Sequence, residues 1–396
     1  MSGQSVTGQG VTGQSPLLGL PGVVAVDEGP DVGVPLHHGD PQAEQRTMDR
    51  AAAVVDRSNR EVIAVPGADR LSWLHLLLTQ HVSELPLGAG TEALVLDLNG
   101  RVEHHAVLSH VADTVWLDME PGTSAGLLEY LAKMVFWSKV EPRSATDELA
   151  VLSLVGPDTA QVLTAAGIPV PDEHYGSAAL PGEGGGLVRR MPGLATVALS
   201  TPLSAGHESK PMAADLLVPR AELLDWWTRL RSAGAAPAGM MAYEALRVGA
   251  LRPRLGLDTD ERTIPHEVGW IGSAVHLTKG CYRGQETVAR VANLGRPPRR
   301  LVLLHTDAGD EELPEPGDPV TLADRTVGRV GTAVLHHELG GVALALVKRS
   351  VPVDADLVAG ADRRAAPARI DPDSVVAEDG AEPPGRRAQA RAGRVR

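Results

Sequence analysis

The residues with the clearest chemical potential lie in one short segment around the single cysteine of the chain. This segment reads Lys279-Gly280-Cys281-Tyr282-Arg283-Gly284-Gln285-Glu286. A cation stands two residues before Cys281 and another two residues after it. Positive charge near a thiol favours the thiolate, which is the reactive form of cysteine. The pattern therefore predicts a reactive thiol at Cys281, with Lys279 and Arg283 lowering its pKa.

The glycines and the following residues favour the same interpretation. Gly280 and Gly284 allow the backbone to turn sharply and a ligand to approach closely. The sequence from Gln285 onwards is typical of a helix start, whose N-terminal dipole would also stabilise a thiolate. The alternative is a small buried hydrophobic side chain, as lone cysteines often are. We expect the reactive thiol, with Gln285 and Glu286 hydrogen-bonding the turn or a ligand.

Composition excludes several classes of protein. One cysteine in 396 residues cannot form an intrachain disulfide, a thiolate zinc site or a complete iron–sulfur cluster, so no permanently bound metal is expected. No apolar run approaches the roughly 18 residues of a membrane span, and no signal peptide is visible. The net charge of −13 disfavours direct binding of nucleic acid. These features predict a soluble cytoplasmic protein without a membrane partner.

Several common motifs fail on their spacing. His266-Glu267 begins like a zincin helix, but Trp270 stands where the second histidine is needed. No phosphate-binding loop with a lysine is present. Histidines are adjacent at 37–38, 104–105 and 336–337. Neighbouring side chains of a strand point to opposite faces, so these pairs are expected to be surface or packing histidines.

The surrounding elements can be predicted from periodicity. Residues 93–98 and 102–109 alternate around Asn99-Gly100, a favoured hairpin turn. Apolar spacing predicts helices over 122–135, 221–231 and 240–250. Short strands over 301–305, 319–323, 327–335 and 342–348 predict a small barrel. The first 45 residues and those after about 358 have the composition of flexible tails.

The segment 279–286 resembles the K-G-C-[FY]-x-G-Q-E signature of the YgfZ family, the folate-binding, iron–sulfur-cluster-maintenance branch of the glycine cleavage T-protein superfamily. Arg290 follows as in the family's GQE-x-x-A-R. Other stretches similar to the family's lie at 66–69, 78–83, 97–101, 138–140, 243–249 and 264–267. The resemblance covers roughly residues 50 to 350.

The resemblance implies an α+β fold in which three small domains form a ring, with two mixed α/β domains and a C-terminal small β-barrel. The expected divisions are a disordered tail (1–45), a discontinuous folate-binding domain (46–148 and 240–295), a second domain (149–239), the barrel (296–358) and a disordered tail (359–396). The resemblance also implies that Cys281 lies near the folate channel at the centre of the ring.

The function implied is that of a folate-binding accessory protein for iron–sulfur cluster assembly or repair. Its partners would be iron–sulfur client enzymes or cluster carriers, since Cys281 cannot hold a cluster alone. The cofactor would be tetrahydrofolate or a derivative. Tyr243 matches one aromatic position that stacks on the pterin, and Arg60 occupies the other. Arg60 could stack or pair with folate carboxylates, or lie at an exposed strand end.

Two other functions remain open from the sequence. T-proteins are aminomethyltransferases with an Asp in the strand after the hairpin turn, but residues 100–105 of this chain carry none at either Asp position. Because one-carbon transfer on folate requires a positioned acid or base, a non-catalytic protein with a transferase-like fold is favoured. A factor in tRNA modification is the second alternative, with an indirect link through cluster-dependent enzymes.

Overall fold

The structure is a computed structural model that describes residues 13–182, 184–196, 212–309 and 312–375. Its helices are α1 (Pro41–Arg50), α2 (Arg70–Leu77), α3 (Ser124–Lys133), α4 (Thr159–Ala165), α5 (Leu223–Ser232), α6 (Met240–Gly249) and α7 (Gln285–Leu294). No helix among the described residues has both the length and the apolar character needed to cross a bilayer.

The strands are β1 (Val24–Ala25), β2 (Pro35–His37), β3 (Ala53–Asp56), β4 (Glu61–Pro66), β5 (Gly90–Leu96), β6 (Val102–Val111), β7 (Thr114–Met119), β8 (Arg143–Ser144), β9 (Leu149–Gly156), β10 (Ser177–Ala179), β11 (Leu187–Met191), β12 (Met212–Pro219), β13 (Ala236–Ala238), β14 (Arg299–Thr306), β15 (Pro319–Leu322), β16 (Arg325–His336), β17 (Gly340–Lys348), β18 (Leu357–Ala359) and β19 (Ala366–Ile370).

These strands form an antiparallel sheet, a mixed sheet and a barrel. The five-stranded sheet has the order β5-β6-β7-β4-β8, and the six-stranded sheet has the order β10-β11-β12-β9-β3-β13. Strands β14-β17-β16-β15-β18-β19 close into a barrel, and β1 pairs with β2 apart from these. The predicted α+β fold with a C-terminal β-barrel is confirmed.

The five-stranded sheet is buried on both faces, as strand β4 shows. Ile63 and Val65 pack on the side of α2 and α3, in a cluster that includes Leu74 and Leu127. Successive side chains of a strand point to opposite faces. The intervening Val62 and Ala64 consequently face the other way, into a cluster that contains Val151 and Leu217 of the six-stranded sheet. The two sheets therefore share an apolar contact.

The chain beyond α6 returns to the five-stranded sheet. The Val102 amide donates to the Thr263 carbonyl at 2.9 Å, and the Thr79 hydroxyl donates to the Ala274 carbonyl at 2.7 Å. Helix α6 itself does not return there. Its Leu246 packs in the cluster of β3, and its Val248 packs against the barrel. The chain therefore rejoins the first domain only after α6, and not from residue 240 as predicted.

The prediction of a disordered tail over residues 1–45 is wrong for the described residues 13–45. This segment contains a 3-10 turn (Pro16–Gly19), β1, β2 and the start of α1. Leu17 is completely buried in the core of the six-stranded sheet, and Asp31 pairs with Arg254 at 2.7 Å. Single anchors of this kind have no periodicity, and composition alone therefore does not reveal them.

Two domain limits also differ from the prediction. Strand β3 lies within the expected first domain but pairs with β9 in the six-stranded sheet. Strand β19 lies within the expected C-terminal tail but pairs with β14 and β18 and closes the barrel. A closed barrel needs its last strand so that no edge remains unpaired. The parts of both expected tails beyond 13 and 375 lie outside the described residues.

A buried ion network joins the two sheets. Asp118 on β7 lies between Arg60, whose Nε is 2.7 Å from its Oδ2, and Arg189 of β11, whose Nη1 is 2.6 Å from its Oδ1. Arg189 also contacts Asp215 of β12 at 2.9 Å. Arg60 contacts Glu120 at 2.5 Å. We call these five residues the Arg–carboxylate network.

Pairing keeps the network ionised. Burial alone would raise the pKa of the Asp118 carboxyl, but the guanidinium groups of Arg189 and Arg60 lower it. Burial would likewise raise the pKa of Glu120, which Arg254 and Arg60 lower. A buried ion with its partners removed is strongly destabilising. The buried ion pairs therefore fix how the two sheets are positioned against each other.

We expect Asp118→Asn to lower the free energy of unfolding by about 3–5 kcal/mol, because Arg60 and Arg189 would share an uncharged neighbour inside the protein. Asp356→Asn is the matched control. Its pair with Arg369 has side chains that are 82% and 75% exposed, so less than about 1 kcal/mol should be lost. Urea denaturation followed by circular dichroism measures both. Equal midpoints for the two variants would contradict the role of the network.

Candidate functional site

A cavity of about 640 Å³ lies where the two sheets, the segment after α6 and the barrel meet. Each unit contributes polar side chains to its wall. The charged and aromatic residues that line it include Arg57, Arg60, Glu92, His105, Glu120, Asp215, Tyr243, Arg247, Arg252, Arg254, Trp270, Arg300 and Arg349. Its volume is within the range of small-molecule sites, and its wall is rich in cations.

Tyr243 and Arg57 form one wall of the cavity. The Cζ atom of Arg57 lies 4.3 Å from the centroid of the Tyr243 ring, and its Nη1 donates to the Ser153 hydroxyl at 3.1 Å. Burial raises the pKa of Tyr243, so the phenol stays neutral. The sequence singled out Tyr243, and the structure places it on the cavity.

Arg60 also reaches the cavity, but its guanidinium is engaged in the Arg–carboxylate network. It is 5% exposed, and the alternative of an exposed strand end is therefore wrong. Burial would lower the pKa of Arg60, yet Asp118 and Glu120 raise it above its usual range. A guanidinium with two carboxylate partners has little capacity for a third. Arg60 consequently shapes the wall rather than offering a free charge.

A second group of ion pairs closes the cavity beside α6. Arg254 contacts Glu120 at 2.6 Å and Asp31 at 2.7 Å. Arg247 contacts Glu244 at 2.7 Å and Asp258 at 2.7 Å. Glu244 and Arg247 are three residues apart and so share one helix face. The stretch that follows Tyr243 therefore positions the wall by ion pairing.

Glu92 and His105 form a hydrogen-bonded pair in the cavity. The His105 Nε2 lies 3.3 Å from the Glu92 Oε2, and the Tyr175 hydroxyl donates to Glu92 Oε1. The His105 ring stacks on Trp270 with centroids 4.8 Å apart and planes 11° apart. The expectation of a mere packing or surface histidine does not describe His105, because it faces the cavity.

Lys279 is buried, and its ammonium group is held by the end of α2. Its Nζ donates to the carbonyl oxygens of His75, Leu78 and Gln80, the last two at 2.5 and 3.3 Å. Burial lowers the pKa of Lys279 to about 8. These carbonyls are left without partners within the helix. Lys279 thus serves to fasten its loop to α2.

Cys281 is exposed and free, and it is not among the residues that line the cavity. Arg283 pairs with Glu103 at 2.8 Å and lies 5.9 Å from the Tyr130 ring centroid. Both cations of the segment are therefore engaged with other groups.

The rest of the segment forms the start of α7. Gln285 is the first residue of that helix, and its Nε2 donates to the Lys279 carbonyl at 3.3 Å. Glu286 follows in the first turn and is exposed. Gln285 therefore hydrogen-bonds the turn, as expected.

The two glycines of the segment differ in whether a side chain could be accommodated in their place. Gly284 has φ +82°, and a Cβ there would lie 2.5 Å from the Asp97 carbonyl oxygen. Gly100 faces it from the hairpin turn, where a Cβ would lie 2.7 Å from the Thr287 Cβ. The hairpin and the start of α7 therefore meet at a distance that only glycines permit. Gly280 has no atom within 4 Å of an added Cβ.

The described residues include a candidate metal-ligand group elsewhere. Ligand atoms of Asp49, His337 and Glu338 all lie within 4.8 Å of one another. Cys281 does not belong to that group.

Sequence reasoning missed most of the cavity wall. Arg57, Glu92, Glu120 and Asp215 line the cavity, but no motif surrounds them and their partners are distant in sequence. One sequence feature could have indicated this polar wall, namely a charged residue inside an otherwise strand-like run, such as Asp118 in β7 and Asp215 in β12. Charged residues are seldom buried unless paired. Their presence in strands that must be buried indicates a polar interior.

We expect Gly284→Ala to lower the free energy of unfolding by more than about 1–2 kcal/mol, because a left-handed backbone with a Cβ is strained and the hairpin must move. Gly280→Ala is the control within the same segment and should stay within about 0.5 kcal/mol. Urea midpoints of the two variants provide the comparison. A loss in Gly280→Ala as large as that in Gly284→Ala would contradict the packing described.

Comparison with known proteins agrees with this architecture. Residues 36–174 match the GCVT N-terminal domain, and residues 299–374 match the CAF17 C-terminal β-barrel domain. A chloroplastic Arabidopsis thaliana protein named as a transferase is 27% identical over 72% of this chain, and the match spans 62% of that relative's length. The aminomethyltransferase of Symbiobacterium thermophilum is 26% identical over 79% of this chain and 83% of its own.

A solved structure shows the same fold. The glycine cleavage system aminomethyltransferase T from Bartonella henselae superposes with a TM-score of 0.73 at 17% identity, covering 88% of this chain and 93% of its own. The two domain matches confirm the resemblance of the sequence to the YgfZ family. The chain joins a GCVT N-terminal domain to a CAF17-type C-terminal β-barrel, a CAF17/YgfZ-like combination, on the fold of aminomethyltransferase T.

Proposed function

We propose that this protein is a folate-binding accessory factor for the assembly or repair of iron–sulfur clusters, with Cys281 as an exchangeable thiol toward client enzymes or cluster carriers. The observation that carries the proposal is the cavity at the junction of the GCVT-type sheets and the CAF17-type barrel, with Tyr243 and a set of arginines in its wall. The family resemblance supplies the cluster-related role.

The cavity wall fits the chemistry of a folate. A folate combines a flat, hydrogen-bonding pterin with a glutamate that carries two carboxylates. Tyr243 supplies an aromatic ring, and the Arg57 guanidinium lies over that ring at 4.3 Å from its centroid. Arg252, Arg300 and Arg349 line the same cavity, and guanidinium groups match carboxylates in geometry. We assign the pterin to Tyr243 and the carboxylates to these three arginines, with Arg60 as a structural residue of the wall.

The thiol and the cavity would serve different partners. Cys281 is exposed and does not line the cavity, which lies between the sheets and the barrel. An exposed thiol is accessible to a protein, and a single thiolate needs ligands from elsewhere to hold a cluster. A client enzyme or carrier would supply them. Lys279 would contribute by fixing the loop, since its ammonium group is bound by carbonyl oxygens of residues 75–80.

Aminomethyl transfer is the second candidate, because several relatives bear that name. The strand after the hairpin turn places His105 in the cavity, where T-proteins carry Asp residues in the corresponding stretch. Glu92 is the adjacent carboxylate and is hydrogen-bonded to His105. Turnover of tetrahydrofolate with an aminomethylated carrier protein would favour the transferase, and absence of turnover favours the accessory role.

Folate binding should depend on the Tyr243 ring. Stacking of a flat heterocycle on an aromatic side chain contributes on the order of 1–3 kcal/mol, so Tyr243→Ala should weaken tetrahydrofolate binding about tenfold or more. Tyr243→Phe keeps the ring and should stay within about twofold of wild type. Anaerobic calorimetry measures both. Equal affinities for the alanine and phenylalanine variants would contradict the assignment.

The Cys281 thiol should be required for restoring iron–sulfur enzyme activity and should not be required for folate binding. Cys281→Ala should bind tetrahydrofolate like the wild type, because the cysteine does not line the cavity. The same variant should fail to restore iron–sulfur enzyme activity in a cell lacking the native protein. Gly280→Ala, which changes the neighbouring residue, should restore it. Full rescue by Cys281→Ala would refute the thiol mechanism.

A further inference from the structure

The cavity contains an acid–base pair that the folate-binding role does not require. Glu92 of β5 and His105 of β6 lie on neighbouring antiparallel strands, where Leu94 pairs with His105. Their side chains are 10% and 13% exposed, and both line the cavity. The pair is therefore held by the sheet itself, with little freedom to move.

The state of Glu92 determines which nitrogen of His105 carries the proton. Burial would raise the pKa of Glu92, but hydrogen bonds from His105 and Tyr175 and the charge of Arg252 bring it to about 2. An ionised carboxylate accepts hydrogen bonds and cannot donate one. The His105 Nε2, 3.3 Å away, must therefore be the donor. The neutral imidazole then has its lone pair on Nδ1.

Two further contacts fix the pair. The Trp270 ring stacks on the imidazole at 4.8 Å between centroids and sets its plane. The Tyr175 hydroxyl donates to the second oxygen of Glu92. Burial and the charge of Glu92 raise the pKa of Tyr175, so the phenol remains a donor. A carboxylate that orients an imidazole by one nitrogen prepares the other nitrogen for proton transfer.

We propose that Nδ1 of His105 exchanges a proton with a nitrogen of the molecule bound in the cavity. In this step Nδ1 takes the hydrogen of a ligand N–H group, whose electron pair stays on the ligand nitrogen. The resulting imidazolium lies against the Glu92 carboxylate, which stabilises it. The reverse step returns the proton. The ligand class, a folate with its ring N–H groups, rests on the proposed function, whereas the state of the pair does not.

The neighbouring histidine provides the comparison within the chain. His104 lies on the opposite face of β6, against α3, where a Cβ on Gly126 would be 3.2 Å from its Cε1. His104 does not line the cavity. Among the described residues, the charged or titratable groups that act on Glu92 besides His105 include Tyr175 and Arg252. Replacement of His104 therefore leaves the surroundings of the pair unchanged.

Imidazole nitrogen NMR tests the pair without any ligand. In ¹⁵N-histidine-labelled protein at a pH where the imidazole is neutral, we expect His105 to show Nε2 protonated and Nδ1 unprotonated, with its signals identified by their loss in His105→Gln. In Glu92→Gln this preference should disappear, because an amide can donate as well as accept. A protonated Nδ1 in the wild type, or an unchanged tautomer in Glu92→Gln, would overturn the assignment.

Calorimetry with tetrahydrofolate tests the proton exchange. Titrations at several pH values, each in two buffers of different ionisation enthalpy, count the protons exchanged with the solvent on binding. Transfer inside the complex exchanges no proton with the solvent while free His105 is neutral, but where free His105 is already protonated the proton of the ligand must be released. Wild type and His104→Gln should therefore show a release that rises by up to one proton as the pH is lowered. His105→Gln, which can still donate to Glu92, should lose that change. Binding whose proton count is the same in His105→Gln as in wild type would overturn the proposal.

The two measurements separate the possible failures. Absence of tetrahydrofolate binding to the wild type would refute the folate function and with it a folate as the proton donor. The NMR result would then decide the acid–base pair on its own. Binding without a proton count that depends on His105 would leave the folate function intact and refute only the proton exchange.

Discussion

The fold depends on one buried carboxylate, Asp118, which two arginines from different parts of the chain must reach together. Arg60 approaches from the entry of β4, and Arg189 approaches from the other sheet. Ions buried this completely are tolerated only with partners in good geometry. The pairing therefore fixes how the two sheets face each other. It also determines that the space left between the sheets and the barrel is a charged cavity rather than an apolar core.

The features with local periodicity could be predicted from the sequence. The Asn99-Gly100 hairpin, helices α3, α5 and α6 and the first barrel strands lie close to their expected positions. The family resemblance rested on the segment around Cys281 and predicted the type of fold. Both kinds of signal are contained within a few neighbouring residues, which is why one sequence suffices to detect them.

The features that could not be predicted from the sequence depend on partners far away in the chain. Leu17 and Asp31 order the N-terminal segment through contacts with residues more than a hundred positions away, such as Arg254. The short strand β19 closes the barrel through pairing with β14. Glu92, His105 and Trp270 form the acid–base side of the cavity from three separate segments. Tertiary partners of this kind leave no local pattern, and tertiary context decides such positions.

The segment around Cys281 contains residues with two different roles. Lys279 and Gly284 are explained by packing, because one binds carbonyl oxygens and the other permits the contact with the hairpin. The thiol itself is exposed and does not line the cavity. The central proposal is therefore that the cavity binds a folate while the exposed cysteine serves another molecule.

A crystal structure of the protein grown with tetrahydrofolate tests this claim most directly. The account predicts the pterin in the cavity beside Tyr243 and His105, the glutamate toward the arginines of the barrel side, and Cys281 free of contact with the ligand. A folate bound at the surface beside Cys281, or a cavity that remains filled only with water at saturating tetrahydrofolate, would contradict it.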